Sequence, residues 1–122
     1  MILVDTSVWI DHFRRNNFDL VHLLYTGQIL SHPFVIGELA LGSLHAGHAI
    51  VSSLKNLPQA KLAHEDEVLI AINRWKLSGS GIGYADAHLL VSAGLTAGAK
   101  LWTGDRRLRA LAVRLHLDSG LK

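Results

Sequence analysis

Four carboxylates in apolar or small-residue surroundings are the side chains of this sequence that are best suited to chemistry. They are Asp5, Glu38, Asp86 and Asp105, out of ten acidic residues in the chain. Converging carboxylates repel one another unless a cation lies between them, so a shared site for all four implies a bound metal. Oxygen ligands favour Mg²⁺ or Mn²⁺, and the chain has no cysteine for a softer metal. Such an ion can polarise a phosphodiester and activate water for in-line attack.

Each of these carboxylates also has a structural explanation when it is taken alone. Asp5 and Asp105 each follow a predicted strand and precede a predicted helix, a position where an N-cap is common. Asp86 lies near the start of a predicted helix, where an acid complements the helix dipole. Glu38 could face solvent, but apolar residues surround it in the sequence, and we expect its helix to be largely buried around that turn. An unpaired carboxylate buried there would be costly, which favours a common site.

Short apolar runs that alternate with amphipathic stretches must position the four acids. We predict strands over residues 1–4, 28–31 and 100–103, with further short strands over 60–63 and 115–117. Helices are predicted over 7–15, 20–25, 33–44, 46–54, 65–77, 84–97 and 106–113. This order predicts a single α/β domain over residues 1–122, with a short-stranded parallel sheet between helices. In such a sheet Asp5 and Asp105 share one edge, and the predicted helix starting near Asp86 brings that residue to the same edge.

Length and composition place the chain among globular proteins. It has 122 residues, of which 49% are hydrophobic and 18% charged, enough for one domain with a buried core. No apolar run approaches the ~20 residues that span a membrane. The amino terminus has no basic leader, so we expect no signal peptide. The lack of cysteine fits a reducing cytoplasm, which is the expected location.

Basic residues cluster near the two ends of the chain, although the net charge is only +2. Arg14 and Arg15 close the first predicted helix. Four more arginines follow the last acid of the set: Arg106, Arg107, Arg109 and Arg114. The planar guanidinium of arginine can bind two phosphate oxygens at once, so these clusters indicate a polyanionic partner. The alternative is that they are solvated helix faces.

Four motifs in order resemble the PIN-domain family, and in particular the VapC ribonuclease toxins of bacterial toxin–antitoxin pairs. They are VDTSVWID at residues 4–11, VIGELALG at 35–42, GYADAHLLVSA at 83–93 and LWTGD at 101–105. The resemblance implies a PIN-like three-layer α/β/α sandwich with a short-stranded parallel central sheet. It also implies a metal site, whose ligands would be Asp5, Glu38, Asp86 and Asp105. Thr103 matches the family's hydroxyl residue, which helps to hold a carboxylate or bound water, and Ser7 would support the site.

The same resemblance implies a function and partners. The protein would be a Mg²⁺-dependent endoribonuclease, with Mn²⁺ as the other candidate ion, that cleaves RNA through metal-activated water. It would be the toxin of a VapBC-type pair, with RNA as substrate, a VapB-type antitoxin as partner and a homodimer as its assembly. Apolar residues that we expect to be exposed would form the antitoxin groove or the dimer face: Trp9, Phe13, Leu20 and Leu24. Many relatives carry a further acid after the position of Asp105, where this chain has Arg106.

Other kinds of function compete with this interpretation. A non-catalytic PIN-like domain would bind RNA or a partner protein, but all four acids are intact. A phosphotransfer receiver domain would need two acids together after its first strand, and the sequence has one there. The sequence has eight histidines but does not predict a zinc site. His45 and His48 are three residues apart, and no third ligand follows at a spacing typical of zinc sites. His88, two residues after Asp86, is expected to point away from the acidic site.

Overall fold

A computed structural model describes residues 1–45 and 47–122, and its elements follow the sequence pattern closely. The described residues form three strands, β1 Ile2–Val4, β2 Ile29–Leu30 and β3 Lys100–Trp102. They also form seven helices: α1 Thr6–Arg15, α2 Phe18–Tyr25, α3 Pro33–Leu41, α4 Gly47–Lys55, α5 Glu65–Arg74, α6 Tyr84–Leu95 and α7 Arg106–Arg114. The seven predicted helices and three of the predicted strands are confirmed. The predicted start of α4 at Ala46 lies outside the described residues.

The middle strand of the sheet is β1, and the order is β2-β1-β3 with all strands parallel. Val4 pairs with Trp102, and the Asp5 N–H donates to the Trp102 carbonyl at 2.9 Å. Because parallel strands end at the same edge of a sheet, Asp5 and Thr103 leave β1 and β3 side by side. The predicted common edge is therefore present.

The predicted strand over residues 60–63 is wrong. One parallel bridge joins Ser31 to Gln59, and the chain then leaves the sheet. Lys61 donates its N–H to the Thr96 side chain at 2.9 Å, so this backbone group is satisfied by α6 and its following turn rather than by a strand.

The predicted strand over residues 115–117 is also wrong. Leu115 is the C-cap of α7, and His116 has a φ of 58° in the left-handed region, so these residues end a helix. The chain returns to the sheet where the Leu117 carbonyl accepts from the Leu101 N–H and Asp118 makes one bridge to Leu101.

The core of the sandwich is built on α6, whose residues 87–93 are all buried. α6 packs against β3 and α5. Leu3, Leu90 and Leu101 have no solvent exposure, so the sheet is covered where α6 meets it. This burial fixes the first turn of α6 relative to the sheet edge. In the part of the chain that the structure describes, no helix combines the length and apolar character that a membrane crossing requires.

The third helix, α3, is less buried than we expected from its composition. It packs against α1 and α4 and buries only Val35 and Leu39. Glu38 and Leu41 are exposed, because a surface helix faces the core with one stripe alone. The expectation of a buried turn around Glu38 is therefore wrong, and its carboxylate lies in contact with water.

Candidate active site

Asp5 is the most firmly held carboxylate at the sheet edge. The residue is only 5% exposed, and it accepts hydrogen bonds from the Thr6 N–H at 2.7 Å and the Ser7 hydroxyl at 2.8 Å. The Thr103 hydroxyl donates a third bond at 2.7 Å. The Ser7 oxygen also accepts from the Gly104 N–H at 3.0 Å, which ties α1 to the turn after β3. Asp5 is thus the N-cap of α1 and has the donors that a buried carboxylate needs.

Thr103 connects the two carboxylates that follow β1 and β3. Its buried hydroxyl donates to Asp5 Oδ2 and accepts from the Asp105 N–H at 3.1 Å. Asp105 in turn caps α7, since its Oδ1 accepts from the Leu108 N–H at 3.0 Å. The capping explanation therefore holds for both strand-end acids, and it leaves other oxygen positions of these carboxylates available.

Glu38 and Asp86 reach the same edge from two helices and are held by fewer contacts. Glu38 Oε1 accepts a hydrogen bond from the Thr6 hydroxyl at 2.7 Å, which brings α3 to the start of α1. Asp86 is partly buried, and its Oδ2 accepts from the Gly83 N–H at 3.3 Å in the turn before α6. Each of these two carboxylates is fixed by a single hydrogen bond.

The pKa of Asp86 is raised, and the charges of the other three carboxylates contribute to the shift. Burial is the largest cause that raises the pKa of Asp86, and the Gly83 N–H opposes it. The negative charges of Asp5, Asp105 and Glu38 raise the pKa of Asp86 further. Asp5, Glu38 and Asp105 thus lie within electrostatic range of Asp86, and Thr103 joins Asp5 to Asp105 by hydrogen bonds. We call these four acids the acidic edge.

A divalent cation fits the donor set of the acidic edge. The available ligands are carboxylate oxygens, and within the described residues none of the four is paired with a basic side chain. Among those same residues, no three acidic or histidine side chains are close enough to enclose an ion by themselves. Mg²⁺ commonly keeps several waters and takes only one or two protein carboxylates, so this wider spacing suits Mg²⁺ or Mn²⁺.

The arginines after Asp105 do not form one basic patch. Arg109 lies 3.7 Å from Asp118 and donates to the Leu121 carbonyl, and Arg114 donates to the Trp75 carbonyl. These two arginines tie the end of the chain to its body. The interpretation of the whole cluster as a phosphate-binding surface is therefore wrong for both of them.

Arg107 lies instead across the glycine-rich loop over residues 78–83. A Cβ atom on Gly81 would come within 2.7 Å of Arg107 Nη1, and Gly81 has a φ of 86°. Only glycine permits both this backbone conformation and this close approach. Arg107 is exposed and follows Asp105 by two residues, so the loop holds a guanidinium beside the acidic edge. In the sequence, only the glycines of this loop indicated that another group approaches its backbone, and they did not identify that group as Arg107.

A groove bounded by α1, α2 and α4 leads toward Glu38. Its apolar part has a volume of about 320 Å³ and is lined mainly by Trp9, Phe13, Leu24, Ile50, Leu54 and Leu57. An adjoining cleft of about 500 Å³ shares Phe13 and Ile50 with it and reaches Glu38. The expectation that Trp9 and Leu20 are exposed is wrong, since both are buried in the core. Phe13 and Leu24 do line the groove.

His88 and the other histidines stand apart from the acidic edge. His88 is 5% exposed and lines a separate cleft with Phe34, while His45 and His48 are exposed. His32 is buried beside Ser92. These side chains do not join the four acids in one site.

Comparison with known proteins agrees with this geometry. Residues 2–114 match the PIN domain family. Two similar proteins are both called Ribonuclease VapC32, from the Mycobacterium tuberculosis strains CDC 1551 / Oshkosh and ATCC 25618 / H37Rv. Each is 49% identical to this chain over 110 residues, which cover 90% of this chain and 89% of the relative. The chain therefore belongs to the PIN domain family and is a VapC-type member of it.

Proposed function

We propose that this protein is a Mg²⁺-dependent endoribonuclease, with Mn²⁺ as an alternative ion, and the toxin of a VapBC-type pair. The observation that supports the proposal is the acidic edge, where Asp86 feels the charges of Asp5, Glu38 and Asp105 and none of the four has a basic partner among the described residues. Such an arrangement is unfavourable unless a cation binds there. The activity is suggested by the relatives, which are called ribonucleases.

In this proposal Asp5, Glu38, Asp86 and Asp105 would hold the ion, one or two of them directly and the others through its bound waters. The hydrogen bonds in the described residues leave Glu38 Oε2, Asp86 Oδ1 and Asp105 Oδ2 without a protein donor. Asp5 Oδ1 accepts one bond and keeps a second acceptor position, since a carboxylate oxygen can accept two. Each acid thus offers an oxygen toward a ligand. Mg²⁺ bound there would neutralise charge on the scissile phosphate and activate a water for in-line attack.

The residues around the acids would position the ligands and the substrate. Thr103 and Ser7 fix Asp5 Oδ2 with two hydrogen bonds, which orients the carboxylate before an ion binds. Arg107, seated on Gly81, is the arginine best placed to contact the RNA backbone, because a guanidinium forks to phosphate oxygens. Arg109 and Arg114 are already engaged by the protein.

Cleavage assays with purified protein test this function. We expect RNA to be cut in Mg²⁺, to stay intact in EDTA, and to give products with 5′-phosphate and 3′-hydroxyl ends. Asp5→Asn should lower the cleavage rate at least about a hundredfold while the far-ultraviolet circular dichroism stays unchanged. Asp11→Asn is the matched control, because Asp11 is an exposed acid of α1 that pairs with Arg15 at 3.4 Å. Full cleavage by Asp5→Asn, or in EDTA, would contradict the proposal.

The rival function is a non-catalytic PIN-like domain that binds RNA or a partner protein. The wide spacing of the acids is the one observation that favours it. In that case RNA binding would persist without cleavage, and neither EDTA nor Asp5→Asn would change it. The same two conditions therefore separate the two functions.

We further propose that a segment of a VapB-type antitoxin occupies the groove between α1, α2 and α4. The apolar part of the groove would take apolar side chains, and a basic side chain of the same segment would reach Glu38 at its end. The test is co-purification with the product of a neighbouring short gene, together with inhibition of cleavage. Phe13→Ser should weaken the complex, whereas Phe18→Ser, outside the groove, should leave it intact.

We also propose that the protein is a homodimer that acts in the cytoplasm. Phe18 and Tyr25 are exposed and lie seven residues apart on α2, so they share one apolar face that a second copy could cover. Light scattering on the purified chain should give twice the monomer mass, and Tyr25→Ser should shift it toward the monomer. The lack of cysteine agrees with a reducing compartment.

A further inference from the structure

A second cleft lies between the start of α3, the start of α5 and the middle of α6. Its volume is about 520 Å³, within the range of small-ligand sites. Phe34 and His88 form one wall, and Glu65 and Asp66 belong to the wall at the start of α5. We call it the α3–α5 cleft, and it combines flat rings with hydrogen-bond acceptors.

Two aromatic rings of the cleft contact each other, and a third ring packs against one of them. The Phe34 and His88 ring centroids are 4.5 Å apart, and the Tyr84 ring lies edge-on to His88 with a centroid distance of 4.7 Å. Phe34 is 38% exposed and Tyr84 is 49% exposed, so the outer rings present apolar surface to water. Rings of this kind stack well on the face of any nucleobase.

His88 is buried, yet its imidazole makes no hydrogen bond within the described part of the chain. His32, the other buried histidine at this cleft, uses both ring nitrogens: Nδ1 accepts from the Phe34 N–H at 3.0 Å, and Nε2 contacts Ser92 Oγ at 3.0 Å. The ring nitrogens of His88 are not among the buried side-chain atoms of the described residues that lack a partner, so they are open to water or to a ligand in the cleft. The position of this ring suits contact with a ligand rather than support of the fold.

The carboxylates at the cleft decide which ligand fits. Glu65, Asp66 and His88 line the same cleft, so the two carboxylates and the imidazole border the space that a ligand would occupy. Ionised Glu65 and Asp66 only accept hydrogen bonds, so they need a ligand that donates. Guanine, cytosine and adenine carry an amino group, whereas uracil has none.

The cleft also adjoins the acidic edge. Phe34 and Glu38 are four residues apart on α3 and therefore lie on the same face, one turn from each other. An RNA strand with a phosphate at the acidic edge would bring a neighbouring base to the α3–α5 cleft.

We propose that the α3–α5 cleft binds an amino-bearing base of the RNA substrate, stacked against Phe34 and His88 and hydrogen-bonded to Glu65. This proposal rests on the ribonuclease function proposed above and adds a base preference next to the cleaved bond. Phe34 and Glu65 are substrate-positioning residues in it.

Binding measured without cleavage tests the cleft separately from the nuclease activity. Histidine imidazole C–H signals of the Asp5→Asn protein in EDTA are followed by NMR during titration with GMP, CMP, AMP or UMP. In a parallel arm, fluorescence anisotropy measures binding of a short single-stranded RNA. We expect the His88 signal to move with the three amino-bearing nucleotides, to move little with UMP, and to move with the RNA.

Two variants with controls sharpen the result. Phe34→Leu should weaken RNA binding about tenfold through lost stacking, while Phe18→Leu, another exposed phenylalanine made leucine, should not. Glu65→Gln should reduce the preference for amino-bearing nucleotides over UMP about tenfold, and Asp19→Asn on α2 should leave it unchanged.

The outcomes distinguish the cleft from the nuclease. If no nucleotide or RNA moves the His88 signal although wild-type protein cleaves RNA, the cleft proposal is overturned and the nuclease proposal stands. Movement with mononucleotides but not with RNA would assign the cleft to a free nucleotide and also overturn it. Movement only with an antitoxin peptide would overturn it in favour of a protein partner. RNA bound in the cleft but never cut would refute the nuclease alone.

Discussion

Among the described residues, one buried polar cluster lies beside other carboxylates and a second does not. At the sheet edge, Asp5 is held by hydroxyl groups and a backbone N–H. Between α3 and α6, His32 is 1% exposed and is held by Ser92 and the Phe34 N–H. We call His32 and Ser92 the histidine–serine pair. In both clusters every polar atom of the central side chain has a hydrogen-bond partner.

The difference between the clusters is charge rather than burial or hydrogen bonding. Because His32 Nδ1 accepts a bond from a backbone N–H, the neutral ring carries its proton on Nε2 and donates it to Ser92 Oγ. This pair is balanced and needs nothing else. Asp5 belongs to a group of four acids that repel one another, so its cluster is complete only with a cation. The functional cluster therefore differs from the structural one by its uncompensated negative charge, because the hydrogen bonds of the central side chain are satisfied in both.

The histidine–serine pair should dominate the pH dependence of stability. Burial, and then the charge of His88, lower the pKa of His32 from 6.5 to about 4. The unfolded chain therefore takes up a proton near pH 6.5, whereas the folded protein does so only near pH 4. The contribution of His32 is complete above pH 6.5 and is lost as the pH falls toward 4, by roughly 3 kcal/mol at about 1.4 kcal/mol per pH unit.

Urea unfolding between pH 4 and pH 7 measures this loss. His32→Asn keeps an acceptor for the Phe34 N–H and removes the titrating ring. The free energy of unfolding of this variant should therefore fall less between pH 7 and pH 4, by about the loss given above for His32. The exposed His22→Asn is the control. A curve for His32→Asn that is as steep as that of the wild type would show that the pair is not the buried neutral group described here.

Removing one hydroxyl from each cluster compares them directly. Thr103→Val leaves the Asp105 N–H without a partner and takes one donor from Asp5, so the free energy of unfolding should fall by about 2 kcal/mol. Ser92→Ala should cost a similar amount, because it leaves a buried imidazole N–H unpaired. Cleavage should fall about tenfold in Thr103→Val and stay unchanged in Ser92→Ala.

Thr103→Ser tests whether the hydroxyl itself is responsible. It restores both hydrogen bonds and should recover most of the cleavage and much of the stability. Equal loss of cleavage in Thr103→Val and Ser92→Ala would remove the distinction between a functional and a structural cluster.

The strand ends could be predicted from the sequence because their signals are local. An apolar run followed by an acid and a helix identifies β1 and β3, and parallel pairing then places Asp5 beside Thr103. Residues 60–63 and 115–117 look equally apolar, but each segment makes only one backbone hydrogen bond to the sheet side, and neighbouring N–H groups donate instead to a side chain or to a helix end. The hydrophobic periodicity of a sequence does not show which other groups will take the backbone hydrogen bonds of a predicted strand.

Contacts between residues that are distant in the sequence could not be predicted, for another reason. His32 and Ser92 are 60 residues apart, and neither spacing nor composition links them. The contact of Arg107 with Gly81 depends likewise on how α7 packs over a loop. Glu38 contacts Thr6 at the start of α1, but its predicted burial is wrong, because apolar neighbours in sequence do not show which stripe of a surface helix meets the core.

The smallest expected effect concerns Asp86, and its sign is informative. Burial and three neighbouring charges disfavour its ionised form, so Asp86→Asn in EDTA at pH 7 should raise the free energy of unfolding, by less than about 1 kcal/mol. Asp19 is also a first-turn acid, in α2, and Asp19→Asn should lower stability slightly, because it loses a favourable helix-dipole interaction.

Mg²⁺ should reverse the order of stability between the wild type and Asp86→Asn. A ligand that binds only the folded state stabilises it according to its concentration and affinity, so Mg²⁺ should raise the midpoint of the wild type more than that of Asp86→Asn. Asp19→Asn should respond to Mg²⁺ as the wild type does. If Asp86→Asn were destabilising in EDTA and indifferent to Mg²⁺, Asp86 would be an ordinary helix-capping acid. The imbalance of charge that separates the acidic edge from the histidine–serine pair would then have to come from the other three carboxylates.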